Sequence, residues 1–261
     1  MTGYSLKQIR QSHTQKKEYD RQFPLSYFVV RPASFYSTYL IFKITDSPSR
    51  VTYLSLLIGL TGCAFLVLLP EFTVWPGLLL LLVFSLLDAS DGNIARVTGN
   101  VTHYGKFLDG VVGGIVEGLY WFGLGLGLYR TSGDSPVLEY LGCESDCAGV
   151  FFLIAGASIT LARLYGNQVA GSYYMHSLEH TNRKNLQTTL TEPIRTSKYR
   201  SWWSYLLFLN VGSFDLQLLL FLLCSILMRL DLFLIFYTVF YLGRWISLTI
   251  FYLYRAQRTL S

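Results

Sequence analysis

Residues 88–117 read DASDGNIARVTGNVTHYGKFLDGVVGGIVE, a stretch that sets Asp88, Asp91, Asp109 and Glu117 between long apolar runs. Only 14% of the chain is charged and 52% is apolar. An ionisable group at bilayer depth costs ~2.5–3.5 kcal/mol on insertion scales, so each is a functional candidate. Four acids this close together call for a common cause. A pair of hard divalent cations at the mouth of a helix bundle supplies one, because such ions prefer carboxylate oxygens.

On either side of this stretch lie Leu-rich runs at 51–69, 74–87 and 216–227, in a chain of 261 residues with a mean hydropathy of +0.38. Runs of about 20 apolar residues span a bilayer as helices. The sequence therefore predicts an all-α integral membrane protein with six transmembrane helices, near 51–69, 73–87, 107–129, 149–169, 214–228 and 232–254. Glycines 110, 113, 114, 118, 123, 125 and 127 enrich the third, which favours close helix approach. Ahead of the spans, 1–30 reads as a basic cytoplasmic arm, either solvated or resting on an anionic leaflet. Residues 31–47 read as an interfacial amphipathic helix too short to cross, and 48–261 as the six-helix catalytic domain. A second short interfacial helix is expected at 199–209, beside Trp202 and Trp203. The polar start carries no apolar core, so no cleaved signal peptide is expected.

Orientation follows from Lys and Arg placement. Residues 1–50 hold eight basic residues, 91–106 two, 163–200 six and the tail two, against only Arg130 and Arg229 on the other side. This predicts a cytoplasmic N-terminus and puts the acids at the cytoplasmic boundary. With the basic residues flanking spans, the net charge of +5 argues for membrane lipids and against nucleic acid. The same topology places 130–148 outside, where Cys143 and Cys147 either form a small disulfide or remain thiols; Cys63 and Cys224 read as buried apolar thiols.

Asp88 and Asp91 are three apart and share a helix face. Gly92 would let backbone approach a ligand closely, and Arg96 offers a forked guanidinium suited to phosphate. Asp109 stands one turn into the next helix. Magnesium or manganese held by such carboxylates keeps waters and substrate phosphates as its other ligands, and two ions can orient the attacking and leaving oxygens of a pyrophosphate.

The pattern D-x2-D-G-x2-A-R-x8-G-x3-D, carried by Asp88, Asp91, Gly92, Ala95, Arg96, Gly105 and Asp109, resembles the signature of the CDP-alcohol phosphotransferase family. Pro48 and Thr52 resemble that family's entry to its first helix. The resemblance implies six helices, metal binding by Asp88, Asp91 and Asp109, a CDP moiety against Gly92, Ala95 and Gly105, and Arg96 organising the site. It also implies transfer of a substituted phosphate from CDP-diacylglycerol or a CDP-alcohol to a lipid or polar alcohol, with release of CMP. A homodimer is compatible with it. One position departs: the signature's last acid, four residues after Asp109, is Gly113 here. Three accounts stand open. Glu117, eight residues beyond Asp109 on the same face, leans back over Gly113 and substitutes as the base. Alternatively the acceptor needs no side-chain base, or the protein is a silent binding or scaffold relative.

Other groups are weaker candidates. His103 reads as a surface histidine in the motif loop, and His176 and His180 lie four apart beside Glu179 without a third ligand of zinc type. Arg163 lies within a span and must face a partner or a wet cavity; with Arg183, Lys184, Arg195, Lys198 and Arg200 it would form a phosphate pocket. Asp215 and Arg244 are read as an intramembrane ion pair or as substrate-binding groups.

Overall fold

The computed structural model describes residues 4–14, 20–68, 74–131, 135, 139–140, 142, 145–185 and 210–259, with the side chains of 145–146 and 178–185 excepted. The helices are α1 (Leu6–Ser12), α2 (Arg31–Ile41), α3 (Pro48–Val67), α4 (Val74–Val97), α5 (His103–Thr131), α6 (Ser145–Asn185), α7 (Phe214–Ile226) and α8 (Leu230–Thr259), with a π-helical turn at Ser26–Val30 leading into α2. Five of them, α3 to α6 and α8, are long and apolar enough to cross a bilayer. The protein is an all-α, multi-pass integral membrane protein. The expected fifth span is the short one: α7 has 13 residues, about 20 Å at 1.5 Å per residue, against ~30 Å of hydrocarbon. It stops at a left-handed Met228 (φ 52°). There the Arg229 N–H reaches the Cys224 carbonyl at 2.8 Å, satisfying a carbonyl the ended helix leaves free.

Helix limits follow local chemistry. Pro48 begins α3, where its missing N–H costs nothing. Gly99, at φ +71°, ends the α4 region in a conformation that favours glycine. The Thr102 hydroxyl then accepts from the Gly105 N–H at 3.0 Å and caps α5. Two boundaries differ from the sequence reading. Helix α4 runs through Asp88 to Val97, so the first two acids stand on a helix rather than at its end. Helix α6 has 41 residues and continues through 171–185, because that polar stretch has no proline and no glycine after Gly171 to break it.

Helix α3 packs on α4 and α5, α5 on α6, α6 on α8, and α2 on α4. At the α5–α6 crossing a Cβ on Gly125 would lie 2.6 Å from the Phe152 carbonyl oxygen, and one on Gly156 2.5 Å from that of Trp121; only glycine permits this approach. The core beside it is aromatic, with Trp121 stacked on Phe233 at 5.5 Å and Tyr120, Tyr237 and Tyr241 buried around them. Large apolar side chains cover the outside; Val239 is 70% exposed and Leu57 63%. Such a surface needs lipid around it.

The N-terminal residues are not a loose arm. Helix α1 packs on α2 and α4, burying Ile9 and His13. Asp20 receives His13 and, at 2.9 Å, Arg31. Helix α2 buries its hydroxyls: Ser37 meets Ser90 at 2.5 Å, and the Asn93 amide donates to Ser34 at 3.0 Å and Thr38 at 3.2 Å. Its Tyr36, Tyr39 and Leu40 face outward, the reverse of a helix lying on a water-soluble domain. The helix expected at 199–209, Arg195, Lys198, Arg200 and Cys143 lie outside the described residues, as do the side chains of His180, Arg183 and Lys184. Cys147 is disulfide-bonded, whereas Cys63 and Cys224 are free thiols.

Candidate active site

Helix α4 presents Asp88 and Asp91 one turn apart, and α5 returns beside it to present Asp109. Asp88 and Asp109 lie near enough for the charge of one to act on the other. Two carboxylates this close repel unless a proton or a cation lies between them. Asp91 is buried and accepts from the Thr52 hydroxyl of α3 at 2.5 Å. That bond gives Thr52, noted only as part of a helix entry, a part in orienting a carboxylate. Arg96 is held by the Asn93 side-chain oxygen at 2.6 Å, and its guanidinium folds back over Gly92. A Cβ on Gly92 would stand 3.3 Å from Arg96 Nη1, so the glycine makes room first for Arg96. The Arg96 Nε is buried without a hydrogen-bond partner.

Three cavities meet at these acids, and Asp109 lines all of them. The first, of about 160 Å³, is the acidic chamber; Asp88, Asp91 and Asp109 share it with Arg31 and Arg96. The second, of about 310 Å³, opens between α3, α4 and the start of α5 and is lined by Gly92, Ala95, Arg96, Gly105 and Lys106. The third, of about 330 Å³, lies between α5 and α6, floored by Gly110, Gly113 and Gly114 and walled by Glu117, Thr160 and Arg163. At each of those three floor glycines a Cβ would meet nothing within 4 Å. The glycines of α5 thus do two jobs: those near 125 bring helices together, and those near 113 leave space.

Glu117 does reach the cavity over Gly113, but it is paired there with Arg163. Arg163 also donates to the Tyr241 hydroxyl at 2.5 Å, to which the buried Gln217 amide donates as well. Arg163 and Arg244 line a further cavity of about 100 Å³ beside Tyr241. Asp215 and Arg244 line different cavities: Asp215 belongs to the acidic chamber, where it accepts from Ser26 and, at 2.8 Å, from Ser85. Of the two readings the sequence leaves open for Asp215, an ion pair with Arg244 or a substrate-binding group, its place in the chamber fits the second; Ser26 and Arg31 carry no such signal in the sequence. His103 is exposed at the first turn of α5 and lines none of these cavities.

The chamber offers a hard cation the carboxylate oxygens of Asp88, Asp91, Asp109 and Asp215, beside the hydroxyls of Ser26 and Ser85 and the guanidinium groups of Arg31 and Arg96. Among the described residues no three of His, Cys, Asp or Glu converge tightly enough to enclose an ion by themselves. Magnesium does not require that: it is commonly held by one or two carboxylates, with waters and substrate phosphates completing the shell.

Residues 46–171 match the family described as CDP-alcohol phosphatidyltransferase. An archaetidylinositol phosphate synthase of Pyrococcus horikoshii is 33% identical over 85 residues, covering 30% of this chain and 45% of that protein. A phosphatidylinositol phosphate synthase of Streptomyces avermitilis is 29% identical over 124 residues, 47% of this chain and 46% of that protein. The matched stretch thus spans less than half the length of either relative. Residues 46–171 contain Asp88, Asp91, Asp109 and Glu117, together with the helices α3, α4 and α5 that carry or orient them. The chain therefore carries, over residues 46–171, a domain of the CDP-alcohol phosphatidyltransferase family.

Proposed function

We propose that the protein transfers a substituted phosphate from a CDP-linked lipid to an alcohol that itself carries an anionic group, releasing CMP, as a step of phospholipid biosynthesis. The observation that carries this reading is the meeting of two substrate-sized cavities at Asp109. The 310 Å³ cavity, with Gly92, Ala95, Gly105 and Arg96 on its walls, takes the cytidine diphosphate. The 330 Å³ cavity, with Arg163 on its wall, takes the acceptor. The names of the two relatives, both synthases of inositol phosphate lipids, support an acceptor bearing phosphate. The basic excess on the side of 1–50 and 163–200 supports a cytoplasmic active site, reached by nucleotide from water and by lipid from the side.

Asp88, Asp91 and Asp109 would hold two divalent cations, magnesium or manganese, which when bound neutralise a pyrophosphate and favour in-line displacement. Thr52 fixes the Asp91 carboxylate, and Arg96 offers its fork to a donor phosphate. The acceptor oxygen bonds to the phosphorus that carries the lipid, the bond from that phosphorus to the bridging oxygen breaks, and CMP departs with that oxygen. The acceptor proton passes to Glu117. In the resting arrangement Glu117 is engaged by Arg163; an acceptor phosphate draws the guanidinium to itself and leaves the carboxylate free.

The test is CMP release from CDP-diacylglycerol by purified protein, offered inositol phosphate or glycerol phosphate, with and without magnesium. Turnover that needs the cation and disappears in Asp91→Asn supports the proposal. Saturable binding of the CDP-lipid with no CMP from any acceptor pool overturns it in favour of a silent binding relative, one of the three readings that Gly113 leaves open.

A further inference from the structure

The family's signature loses a carboxylate at Gly113, yet the acidic chamber holds four. The fourth is Asp215, in the first turn of α7 and outside the matched 46–171 region. It lines the chamber with Asp88, Asp91 and Asp109, close enough that its charge acts on Asp88. Two hydroxyls from different elements orient it: Ser85 of α4 donates to Oδ1 at 2.8 Å, and Ser26 of the π-helical turn donates to Oδ2. An ionised carboxylate has about four lone-pair positions, so two hydrogen bonds leave each oxygen able to bind a cation. Carboxylates that ligate metals are commonly hydrogen-bonded in this way by a supporting layer. A solvated surface acid would have no need of two such donors drawn from sequence positions 26 and 85.

We propose that Asp215 is a cation-holding residue of this site and supplies, from α7, the carboxylate that α5 lacks at Gly113. The inference rests on the transferase reading above and deepens it. It separates two duties. The charge that holds cations is restored from a remote helix on the α4 side of the chamber, while proton transfer stays on the α5–α6 side with Glu117.

The experiment measures Mn²⁺ binding to the purified full chain by the loss of the free-ion electron paramagnetic resonance signal, with no substrate present. Unaltered protein should bind Mn²⁺ saturably and Asp91→Asn should lose that binding. Asp215→Asn, nearly the same size and still able to accept from one serine, should weaken binding at least tenfold, the lower end of what losing a supporting group costs. Placing Gly113→Asp in the Asp215→Asn background should restore binding to within a few-fold, because a side chain at 113 meets nothing within 4 Å and opens on the cavity shared by Asp88 and Asp109. Undiminished binding by Asp215→Asn, beside loss in Asp91→Asn, overturns the role of Asp215 and leaves the transferase reading standing. Weakening without rescue also overturns it, since Asp215 would then be acting on the fold. Absence of Mn²⁺ binding by the unaltered protein overturns both.

Discussion

Two glycines twelve positions apart on α5 should respond in opposite ways to the same added methyl group. At Gly125 an added Cβ would lie 2.6 Å from the Phe152 carbonyl oxygen and 2.9 Å from the Gly156 Cα, both backbone atoms that no rotamer change can move. Ordinary contact begins near 3.4 Å, so α5 and α6 would have to separate locally by about 0.8 Å. A gap of that size forfeits about a quarter to a half of each dispersion well along the opened seam, and overpacked sites typically cost ~1–3 kcal/mol. Alanine's better helix propensity returns less than about 1 kcal/mol. At Gly113 the same Cβ meets nothing within 4 Å, so only the propensity gain remains. At ~2–4 °C per kcal/mol for a chain of this size, Gly125→Ala should melt several degrees below the unaltered protein in one detergent. Gly113→Ala should melt level with it or slightly above. Equal shifts for the two variants would refute the division of α5 into a packing half and a cavity half.

Glu117→Gln should cut turnover by ~10²–10⁴, the usual worth of a positioned base, while Mn²⁺ binding persists; near-normal turnover removes Glu117 as proton acceptor. The His13 pKa is lowered below 6.5, chiefly by burial, although the Asp20 hydrogen bond opposes the shift, and its Nδ1 is buried without a partner. The folded protein therefore binds fewer protons here than the unfolded chain, so the contribution to stability is full above pH 6.5 and falls as pH drops through the lowered value. Protection from hydrogen exchange over 6–13, corrected for the base-catalysed intrinsic rate, should fall at pH 5.5 relative to 7.5, and His13→Gln should abolish that difference; pH-independent protection in the unaltered protein refutes the sign. Met228 holds φ 52° with its side chain 82% exposed, so Met228→Gly should relieve about 1 kcal/mol of backbone cost at little loss of packing and raise the melting temperature. Met228→Ile should lower it.

Local chemistry made much of this molecule readable before its structure. Periodic apolar runs with few charges locate α3 to α6 and α8, because a bilayer forces backbone groups to pair within each segment. Acids at offsets of three on one helix must share a face, which put Asp88 and Asp91 side by side. Arg163 could be marked as needing a partner from its depth alone, and Glu117 is that partner. Neither the identity of that partner nor the length of α6 was readable. Pairing across helices depends on rotation and crossing angle, which sequence spacing along one helix does not determine. Helix α6 outlasts its apolar run because hydropathy measures what lipid tolerates, whereas helix continuation needs only the absence of breakers.

The N-terminal segment misleads for a deeper reason. Its Lys and Arg content reads as a solvated or leaflet-bound arm because composition does not show what the residues between the charges meet. In the fold Lys7, Arg10 and Arg21 are exposed, while the residues around them are tied down: Asp20 pairs with Arg31 and receives His13, and Arg31 and Ser26 reach the acidic chamber. The hydroxyls of α2 then point inward, because Asn93 and Ser90 on α4 are polar groups in a span and must be satisfied by a neighbour. A sequence signal for this does exist. A span carrying Ser85, Ser90 and Asn93 as well as its aspartates has more polar groups than its own backbone can serve, so a polar helix must lie against it. Among the described residues the segment 26–38 meets that demand for Ser90 and Asn93, Thr52 and Asp215 serve Asp91 and Ser85, and the same segment brings Ser26 to within hydrogen-bonding reach of Asp215. The wall of the chamber and the orientation of its fourth carboxylate thus follow from one requirement, that no polar group of α4 be left bare in the membrane.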